Sequence, residues 1–413
     1  MQNENISKFD FEQCQKCSIC VSVCPMREAN PLYPGPKQAG PDGERYRLKD
    51  PAFFDYALKY CLNCKRCEVA CPSGVKVADL IANAKLKYGK KSRVLRDWTL
   101  ANTDFVGSLA VPFAPIVNKV LSLEPVAAAM DSVLGVDHRR TFPDYAGKKF
   151  VSWMRSAEAP SQEGYSKNVS YFHGCYVNYN YPALGKAFVG VMNALGYGVR
   201  LLSKEKCCGV ALIANGFRGQ AESQARLNVS SMAEALFEGS EAVLSTSTSC
   251  TFTMRDEYPH LLGVDNSAVR DSLLTATKFI CEAVDSGKVK LVFRKDFRMR
   301  AAYHTPCHLQ RMGWEPYTIR LLKMIPGLDL TVLDQECCGI AGTFGFKKEN
   351  YAYSQKIGSK LFESIRLANV PAVITDCETC KWQIEMSTAL PVLNPIEVLF
   401  EALDIEETKK SNI

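Results

Sequence analysis

The chain has 413 residues, 47% of them hydrophobic and 23% charged, with a formal net charge of +6. This length is enough for two or three domains, and so small a charge does not by itself indicate nucleic-acid binding. The stretch nearest in character to a membrane span, residues 106–117, is interrupted by Pro112 and Pro115, so we expect no membrane-spanning helix.

Residues 1–11 are mostly polar and contain no apolar run typical of a secretory signal. We therefore expect a cytosolic location, where cysteines bind metals more often than they form disulfides. The expectation matters because the chain contains 18 cysteines.

The first predicted domain, residues 1–95, contains two copies of Cys-x2-Cys-x2-Cys-x3-Cys-Pro, the spacing of bacterial two-cluster ferredoxins. In this pattern, three cysteines of one copy and the fourth of the other hold one [4Fe–4S] cluster. A four-thiolate zinc site is the alternative, although zinc needs neither the third cysteine nor the proline. The 36 residues between Cys24 and Cys61, which include a Pro- and Gly-rich segment at 30–43, are a wider gap than in small β-hairpin ferredoxins and favour a mostly helical ferredoxin domain. The predicted ligand sets are Cys14, Cys17, Cys20 and Cys71 for one cluster, and Cys61, Cys64, Cys67 and Cys24 for the other.

The second predicted region, residues 96–165, contains no cysteine. Segments 105–121 and 126–136 have amphipathic patterns, and the segment 85–96 just before them carries cations without an acidic residue. This combination suits an anionic membrane surface or a docking site for another protein of the same complex. A solvated face beside an ordinary core helix explains it equally well. The cations are Lys85, Lys87, Lys90, Lys91, Arg93 and Arg96.

The rest of the chain is duplicated, with predicted repeats at 166–300 and 301–413. In each half the predicted order is strand, Cys, helix, strand, Cys-Cys-Gly, helix, strand and a Cys-containing loop. This alternation predicts α/β repeats with largely parallel sheets. In the second repeat each cysteine follows a predicted strand, so the five would meet at one edge of the sheet. Gly339 would allow the backbone turn that aims two adjacent sulfurs at one centre. The five cysteines are Cys307, Cys337, Cys338, Cys377 and Cys380.

Five soft ligands suit an iron–sulfur centre and exceed what tetrahedral zinc requires, while buried structural cysteines are the alternative. The first repeat is incomplete, because Ser247 stands where Cys377 stands in the second, and serine is a poor iron–sulfur ligand. We expect this site to be weakened, empty or occupied by a centre with four sulfur ligands. Cys281 fits no motif and is predicted to be structural. The first-repeat cysteines are Cys175, Cys207, Cys208 and Cys250.

Three histidines, His173, His304 and His308, lie beside these thiols, where they could hydrogen-bond a cluster sulfur, relay a proton or simply pack. The sequence contains no Gly-x-Gly-x-x-Gly motif and no nucleophile–base constellation, so nothing in it argues for bound FAD or NAD. The favoured hypothesis is an electron conduit without catalytic residues of its own. The alternatives are a thiol–disulfide or quinone reductase, and a zinc-stabilised scaffold or membrane anchor.

The duplicated halves resemble the CCG domains of the heterodisulfide reductase B family, which recur in iron–sulfur subunits of glycolate oxidase and lactate utilisation. Over nearly the whole chain, the sequence also resembles the iron–sulfur subunits of bacterial anaerobic glycerol-3-phosphate dehydrogenases. The segments that carry this resemblance include NPLYPGPKQAGPDGERYRLKD, ALKYCLNCKRCEVACPS, TDFVGSLAVPFAPIVN, LLSKEKCCGVALIANGF, CCGIAGTFGFKKENY and TDCETCKWQIEMST.

The resemblance implies an α+β multidomain protein: a helical two-[4Fe–4S] ferredoxin domain followed by a duplicated α/β CCG domain. It implies a noncubane [4Fe–4S] cluster on the complete second repeat, and the first could hold a further cluster. The implied partners are an FAD-containing catalytic flavoprotein, a second protein of the same complex and menaquinone, with no nucleic acid. The implied location is peripheral, on the cytoplasmic side of the inner membrane, where the chain would help attach these two proteins. The iron–sulfur protein of a related 2-hydroxy-acid oxidase is the alternative.

Overall fold

The computed structural model describes residues 11–50, 56–89 and 94–412. The N-terminal part is helical over its described residues, as the wide spacing of the two cysteine motifs predicts. Pro25 occupies the first turn of its helix, where its missing N–H costs nothing, and so the chain turns directly after Cys24. The helices are Phe11–Gln13 (3₁₀), Ile19–Ser22, Pro25–Ala29, Gln38–Asp42 (π), Gly43–Lys49, Tyr56–Tyr60 (3₁₀), Arg66–Val69 and Val77–Tyr88.

The middle region is also helical. Thr103–Leu121 forms one continuous helical run through Pro112 and Pro115, contrary to the predicted interruption. Each proline lies in the first turn of a helical segment, where it is tolerated. The segments are Val94–Ala101, Thr103–Ala110, Val111–Phe113 (3₁₀), Ala114–Leu121, Glu124–Ala129, Met130–Leu134 (π) and Phe150–Met154.

The middle region, residues 96–165, packs against the second repeat. The buried guanidinium of Arg140 donates to the Gly345 carbonyl oxygen at 2.7 Å and to Ser354 Oγ at 2.8 Å. It also donates to the side-chain amide oxygen of Gln383. These contacts fix the segment that precedes the first repeat onto the loop that follows the second Cys-Cys-Gly.

The first repeat contains a four-stranded parallel sheet in the order β2-β1-β3-β4. Its strands are β1 (Lys167–Tyr171), β2 (Tyr197–Leu201), β3 (Val243–Ser245) and β4 (Leu273–Thr275). Crossover helices bury both faces of the sheet, as parallel sheets require. They are Gly174–Tyr179, Pro182–Ala194, Val210–Ala214, Arg218–Phe237, Thr248–Phe252, Thr253–Leu262 (π), Ser267–Arg270 and Ala276–Asp285.

The second repeat has the same topology, a parallel sheet in the order β6-β5-β7-β8. Its strands are β5 (Met299–Tyr303), β6 (Leu328–Val332), β7 (Val373–Ile374) and β8 (Val392–Leu393). The matching strand order confirms the duplication predicted from the sequence. The helices are Cys307–Met312, Glu315–Lys323, Phe344–Phe346 (3₁₀), Lys348–Asn350 (3₁₀), Tyr351–Ala368, Glu378–Thr388, Pro395–Ala402 and Ile405–Asn412.

The two repeats share one hydrophobic core, to which Tyr171 and Phe188 of the first and Tyr303 of the second contribute. Backbone hydrogen bonds also cross between them, for example from the Thr248 amide to the Asp376 carbonyl oxygen at 3.1 Å. A second core joins the N-terminal helices to the first repeat. The cysteine-bearing edges of all three parts are therefore held in fixed relation.

Candidate iron–sulfur centres

The eight ferredoxin cysteines lie in two groups. Cys14, Cys17, Cys20 and Cys71 line one small pocket, which we name ferredoxin set 1. Cys24, Cys61, Cys64 and Cys67 line another, ferredoxin set 2. The structure brings the thiols together in the grouping expected from the sequence spacing, with the fourth cysteine of each motif beside the other motif.

The loops that carry these thiols have the same unusual backbone in both copies. Lys16 and Ser18 have φ values of 58° and 66°, and Asn63 and Lys65, at the matching positions, have 56° and 63°. Left-handed conformations are costly for residues other than glycine, and such strain concentrates at ligand-binding loops. The left-handed residues curve each loop around its pocket, so that the cysteines of the loop line that pocket.

Burial and crowding favour the protonated form of Cys20 and Cys24 when no cation compensates their charge. Burial, and then the neighbouring thiols Cys14, Cys17 and Cys71, raise the pKa of Cys20 to about 11. Burial and then Cys64 raise the pKa of Cys24 to about 12. A buried group of like-charged ligands is stable as thiolates only when a metal centre balances their charge.

The five cysteines of the second repeat, which we name the second-repeat set, line one central cavity of about 270 Å³. Cys307 begins the helix after β5, and Cys377 is the N-cap of the helix after β7. The Sγ atoms of Cys338 and Cys380 are 3.3 Å apart. The carboxyl ends of parallel strands meet at one edge of a sheet, which is why these residues converge.

Both Cys-Cys-Gly turns use a left-handed glycine, with φ of 87° at Gly209 and 86° at Gly339. A Cβ atom on Gly339 would lie 2.1 Å from the Ser354 carbonyl oxygen, whereas one on Gly209 would approach nothing closer than 3.6 Å. Gly339 therefore allows close backbone packing as well as the turn that the sequence predicted.

We expect Gly339→Ala to disrupt the second-repeat set, because backbone atoms must move to make room for the methyl group. Gly209→Ala is the matched control, since it incurs only the left-handed penalty of about 1–2 kcal/mol. Urea denaturation and iron content of the two variants provide the measurement. Equal losses in both would show that close packing at Gly339 is not what matters.

The four cysteines of the first repeat, the first-repeat set, line the same central cavity. The Sγ atoms of Cys175 and Cys207 are 3.8 Å apart. The Cys207 amide donates to Asp104 Oδ2 at 2.6 Å. Burial, and then Cys207, raise the pKa of this aspartic acid to about 7. No sequence pattern distinguished Asp104, which lies in the cysteine-free region.

Ser247 occupies the N-cap position that Cys377 occupies in the second repeat. Its hydroxyl accepts the Cys250 amide at 3.2 Å and lies 2.9 Å from both carboxylate oxygens of Glu378. Burial, and then Cys377, raise the pKa of Glu378 to about 8. Because these bonds occupy its oxygen, Ser247 makes a structural link between the repeats and is not free to act as a fifth ligand.

The three histidines have different surroundings. His173 Nδ1 lies 3.1 Å from Glu205 Oε1, and burial lowers the pKa of His173 to about 4. Burial likewise lowers the pKa of His304 to about 4, and neither ring nitrogen has a hydrogen-bond partner among the described residues. His308 donates from Nε2 to the Asn63 carbonyl oxygen at 3.2 Å and stacks on Phe252. His308 thus joins the second repeat to a ferredoxin loop.

The structure corrects the predicted basic patch. Arg96 is buried and paired with Asp97 and Glu349, each at 2.9 Å. Lys85 is half-buried and donates to the Cys61 carbonyl oxygen at 3.2 Å. These two cations hold the fold together instead of facing a membrane. Lys87 is exposed, and the remaining predicted members, Lys90, Lys91 and Arg93, lie outside the described residues.

The spacing of the thiols suits multi-iron clusters better than single metal ions. Among the described residues, the one group of three ligand atoms within 4.8 Å of one another is Asp131, Asp137 and His138. That group contains no thiol, and Lys348 already pairs with Asp131. No three cysteine sulfurs among the described residues lie within 4.8 Å of one another, as they would in a tetrahedral site whose sulfurs are each about 2.3 Å from one zinc ion. The donor sets therefore fit iron–sulfur clusters.

Comparison with known families agrees with this chemistry. Residues 10–75 match the 4Fe-4S dicluster domain, and residues 169–255 and 301–385 each match the cysteine-rich domain CCG. The chain is 55% identical over 393 residues to the C subunit of the anaerobic glycerol-3-phosphate dehydrogenase of Escherichia coli K12, covering 95% of this chain and 98% of that protein. The chain belongs to this family. The resemblance and the fold class predicted from the sequence are thereby confirmed.

More distant relatives share the cysteine architecture. The B subunit of the fumarate reductase (CoM/CoB) of Methanothermobacter marburgensis is 27% identical, covering 95% of this chain and 71% of that protein. The glycolate oxidase iron-sulfur subunit of Escherichia coli K12 is 24% identical, covering 95% and 94%. Similarity to solved structures is low: a putative Asp/Glu racemase from Yersinia pestis aligns over 57% of this chain and 96% of its own, at 11% identity and a TM-score of 0.27.

Proposed function

We propose that the chain is the iron–sulfur electron-transfer subunit of an anaerobic glycerol-3-phosphate dehydrogenase. Ferredoxin sets 1 and 2 would each hold a [4Fe–4S] cluster, and the second-repeat set a noncubane [4Fe–4S] cluster. Such clusters accept and release single electrons. FAD would reside only in a partner, the catalytic flavoprotein, and a second partner protein completes the complex. Menaquinone would be the acceptor.

The position of Cys64 is the observation that carries this proposal. Its side chain lines both the pocket of ferredoxin set 2 and the central cavity of the second-repeat set. Cys64 is also among the groups that, after burial, raise the pKa values of Cys307 and Cys337. Ferredoxin set 2 and the second-repeat set are thus immediate neighbours, as electron transfer between them needs.

The exposure of the thiols suggests a direction for the path. Cys17 of ferredoxin set 1 is solvent-exposed, whereas the cysteines of the second-repeat set are buried apart from Cys307, which is half-buried. We assign electron entry from the catalytic flavoprotein to the exposed set 1 and exit to the central cavity. Ferredoxin set 2 connects the two through Cys64.

Anaerobic purification followed by metal analysis and EPR tests the proposal. We expect about 12 iron atoms per chain, because three four-iron centres are proposed. Glycerol 3-phosphate should reduce these centres only when both partner proteins are present. A folded, colourless protein that contains zinc without iron would contradict the proposal and leave the scaffold hypothesis.

We also propose peripheral attachment to the inner face of the cytoplasmic membrane through Thr103–Leu121. This 19-residue run has a mean hydropathy of 1.3 and is only 22% buried, the one such helix among the described residues. Apolar side chains repeat along one exposed face, with Phe113 and Ile116 62% and 65% exposed. An exposed apolar stripe suits a helix lying in a lipid surface. The stripe comprises Phe105, Leu109, Phe113, Ile116 and Val120.

Phe113→Glu is expected to weaken co-sedimentation with anionic lipid vesicles by about tenfold, because burial of one phenylalanine contributes about 1.5–3 kcal/mol. The control is Phe237→Glu, which places the same charge at a side chain that is 93% exposed and outside the stripe. Loss of the second partner protein from the complex, with unchanged vesicle binding, would instead make the stripe an interface within the complex.

A thiol–disulfide reductase is the second candidate, because thiols of both repeats face one cavity. The first-repeat set lacks a fifth cysteine, and in its place Ser247 is hydrogen-bonded to Glu378. The thiol sets of the two repeats therefore differ chemically. This inequality favours the electron-transfer role. Reduction of an organic disulfide by the reduced chain, at a rate matching quinone reduction, would favour the reductase.

A further inference from the structure

The central cavity has a wall made of aromatic side chains as well as thiols. Phe142, Phe346, Trp382 and Tyr176 all line the cavity, and we name them the aromatic wall. Their ring centroids lie 5.3 Å apart from Phe142 to Phe346, 6.4 Å from Phe346 to Trp382, and 5.5 Å from Trp382 to Tyr176. The four rings therefore form one continuous surface.

The aromatic wall connects the two thiol sets. Trp382 lies two residues after Cys380 on the helix Glu378–Thr388, and Tyr176 directly follows Cys175. A molecule lying on this wall would contact both sets. Apolar side chains such as Leu100, Val106 and Ile340 also line the cavity.

We propose that the aromatic wall binds the ring of a quinone. Aromatic rings bind planar conjugated rings by offset or edge-to-face stacking, a preference that a flexible aliphatic disulfide cannot satisfy. The cavity thus combines thiols, which would hold the cluster, with a separate aromatic surface on which a quinone ring could lie. This inference rests on the proposed function, since it names the place where the lipid-soluble acceptor binds.

The neighbouring elements support a lipid-soluble ligand. Thr103 and Val106 line the cavity and belong to the same helical run as the exposed apolar stripe, whose first member is Phe105. A quinone that partitions into a bilayer beneath the stripe would find the cavity at the start of that helix. The stripe and the cavity together place the ligand and its source on one side of the molecule.

His308 supplies a polar contact within this lining. Its Nε2–H donates to the Asn63 carbonyl oxygen, so Nδ1 of the neutral ring is an acceptor, and Nδ1 has no partner among the described residues. A quinol hydroxyl can donate to it. In forming the quinol, the quinone takes up two electrons, delivered singly from glycerol 3-phosphate oxidation, and two protons from water.

The test is direct binding of a short-tailed 1,4-naphthoquinone to the anaerobically purified full chain. Binding is measured by the quenching of tryptophan fluorescence. We expect Phe142→Ala to raise the dissociation constant by about tenfold, consistent with loss of one stacked ring. Phe142→Tyr should restore binding, because it keeps the ring. Phe237→Ala removes an equal side chain where it is 93% exposed and should bind as the parent does.

Tyr176→Ala, at the other end of the wall, serves as the second variant if Phe142→Ala does not fold. Iron content is measured on every sample, so that the two proposals can fail separately. A chain without iron would contradict the proposed function whatever its quinone affinity. An iron-loaded Phe142→Ala or Tyr176→Ala chain with unchanged quinone affinity would overturn the aromatic site alone. Displacement of the quinone by an equal concentration of a small aliphatic disulfide would overturn it as well.

Discussion

Cys307→Ser is expected to remove about four iron atoms per chain and to abolish menaquinone reduction by the complex, while the two ferredoxin signals in EPR remain. Cys307 begins a helix at the sheet edge and lines the central cavity together with Cys337 and Cys64. Loss of outer-sphere partners alone typically costs 10- to 100-fold in metal affinity or activity, so loss of a direct ligand should exceed about 100-fold.

Cys281→Ser is the matched control. Cys281 is fully buried, lies outside all four thiol sets and has Asp285 as its neighbour at 3.9 Å. The same sulfur-to-oxygen change there should leave iron content and quinone reduction unaltered. If Cys307→Ser retained its full iron content and rate, the second-repeat set would not be the exit point of the electron path.

Lys65→Met is expected to destabilise the protein by about 3–5 kcal/mol, the usual cost of breaking a buried ion pair. The Lys65 ammonium is fully buried, pairs with Asp79 and lies 3.8 Å from Glu68 and 3.9 Å from Glu257. Burial by itself would lower the pKa of Lys65, but Asp79, Glu68 and Glu257 together raise it above its usual range. Without the cation, three buried carboxylates would lose their shared partner.

Urea denaturation of the anaerobic protein measures this effect. Lys360→Met is the control, because Lys360 makes an exposed ion pair with Glu28 at 2.8 Å. Exposed pairs contribute about 0–1 kcal/mol, so this variant should unfold almost as the parent does. Equal stabilities for the two variants would mean that the Lys65 cluster is not a structural link between the ferredoxin helices and the first repeat.

The Lys65 cluster could not be predicted from the sequence. Lys65 lies inside a cysteine motif, and nothing near it in the sequence indicates that Glu257 will face it. The same holds for Arg96, which counted as part of a basic surface but is buried between Asp97 and Glu349. A run of charged residues shows only the local composition of the sequence. Whether each charge forms an ion pair depends on residues far away in the chain.

The sequence by itself determined the chemistry of this protein: eight cysteines at ferredoxin spacing, and a duplicated α/β unit whose cysteines follow its strands. These features are predictable because short loops and strand ends place nearby thiols together through local backbone geometry. The tertiary structure alone decided how the sets are connected. Cys64 faces the second-repeat set, Ser247 bonds to Glu378 and four distant aromatic rings form one wall, because packing of separate elements brings together residues that no spacing relates.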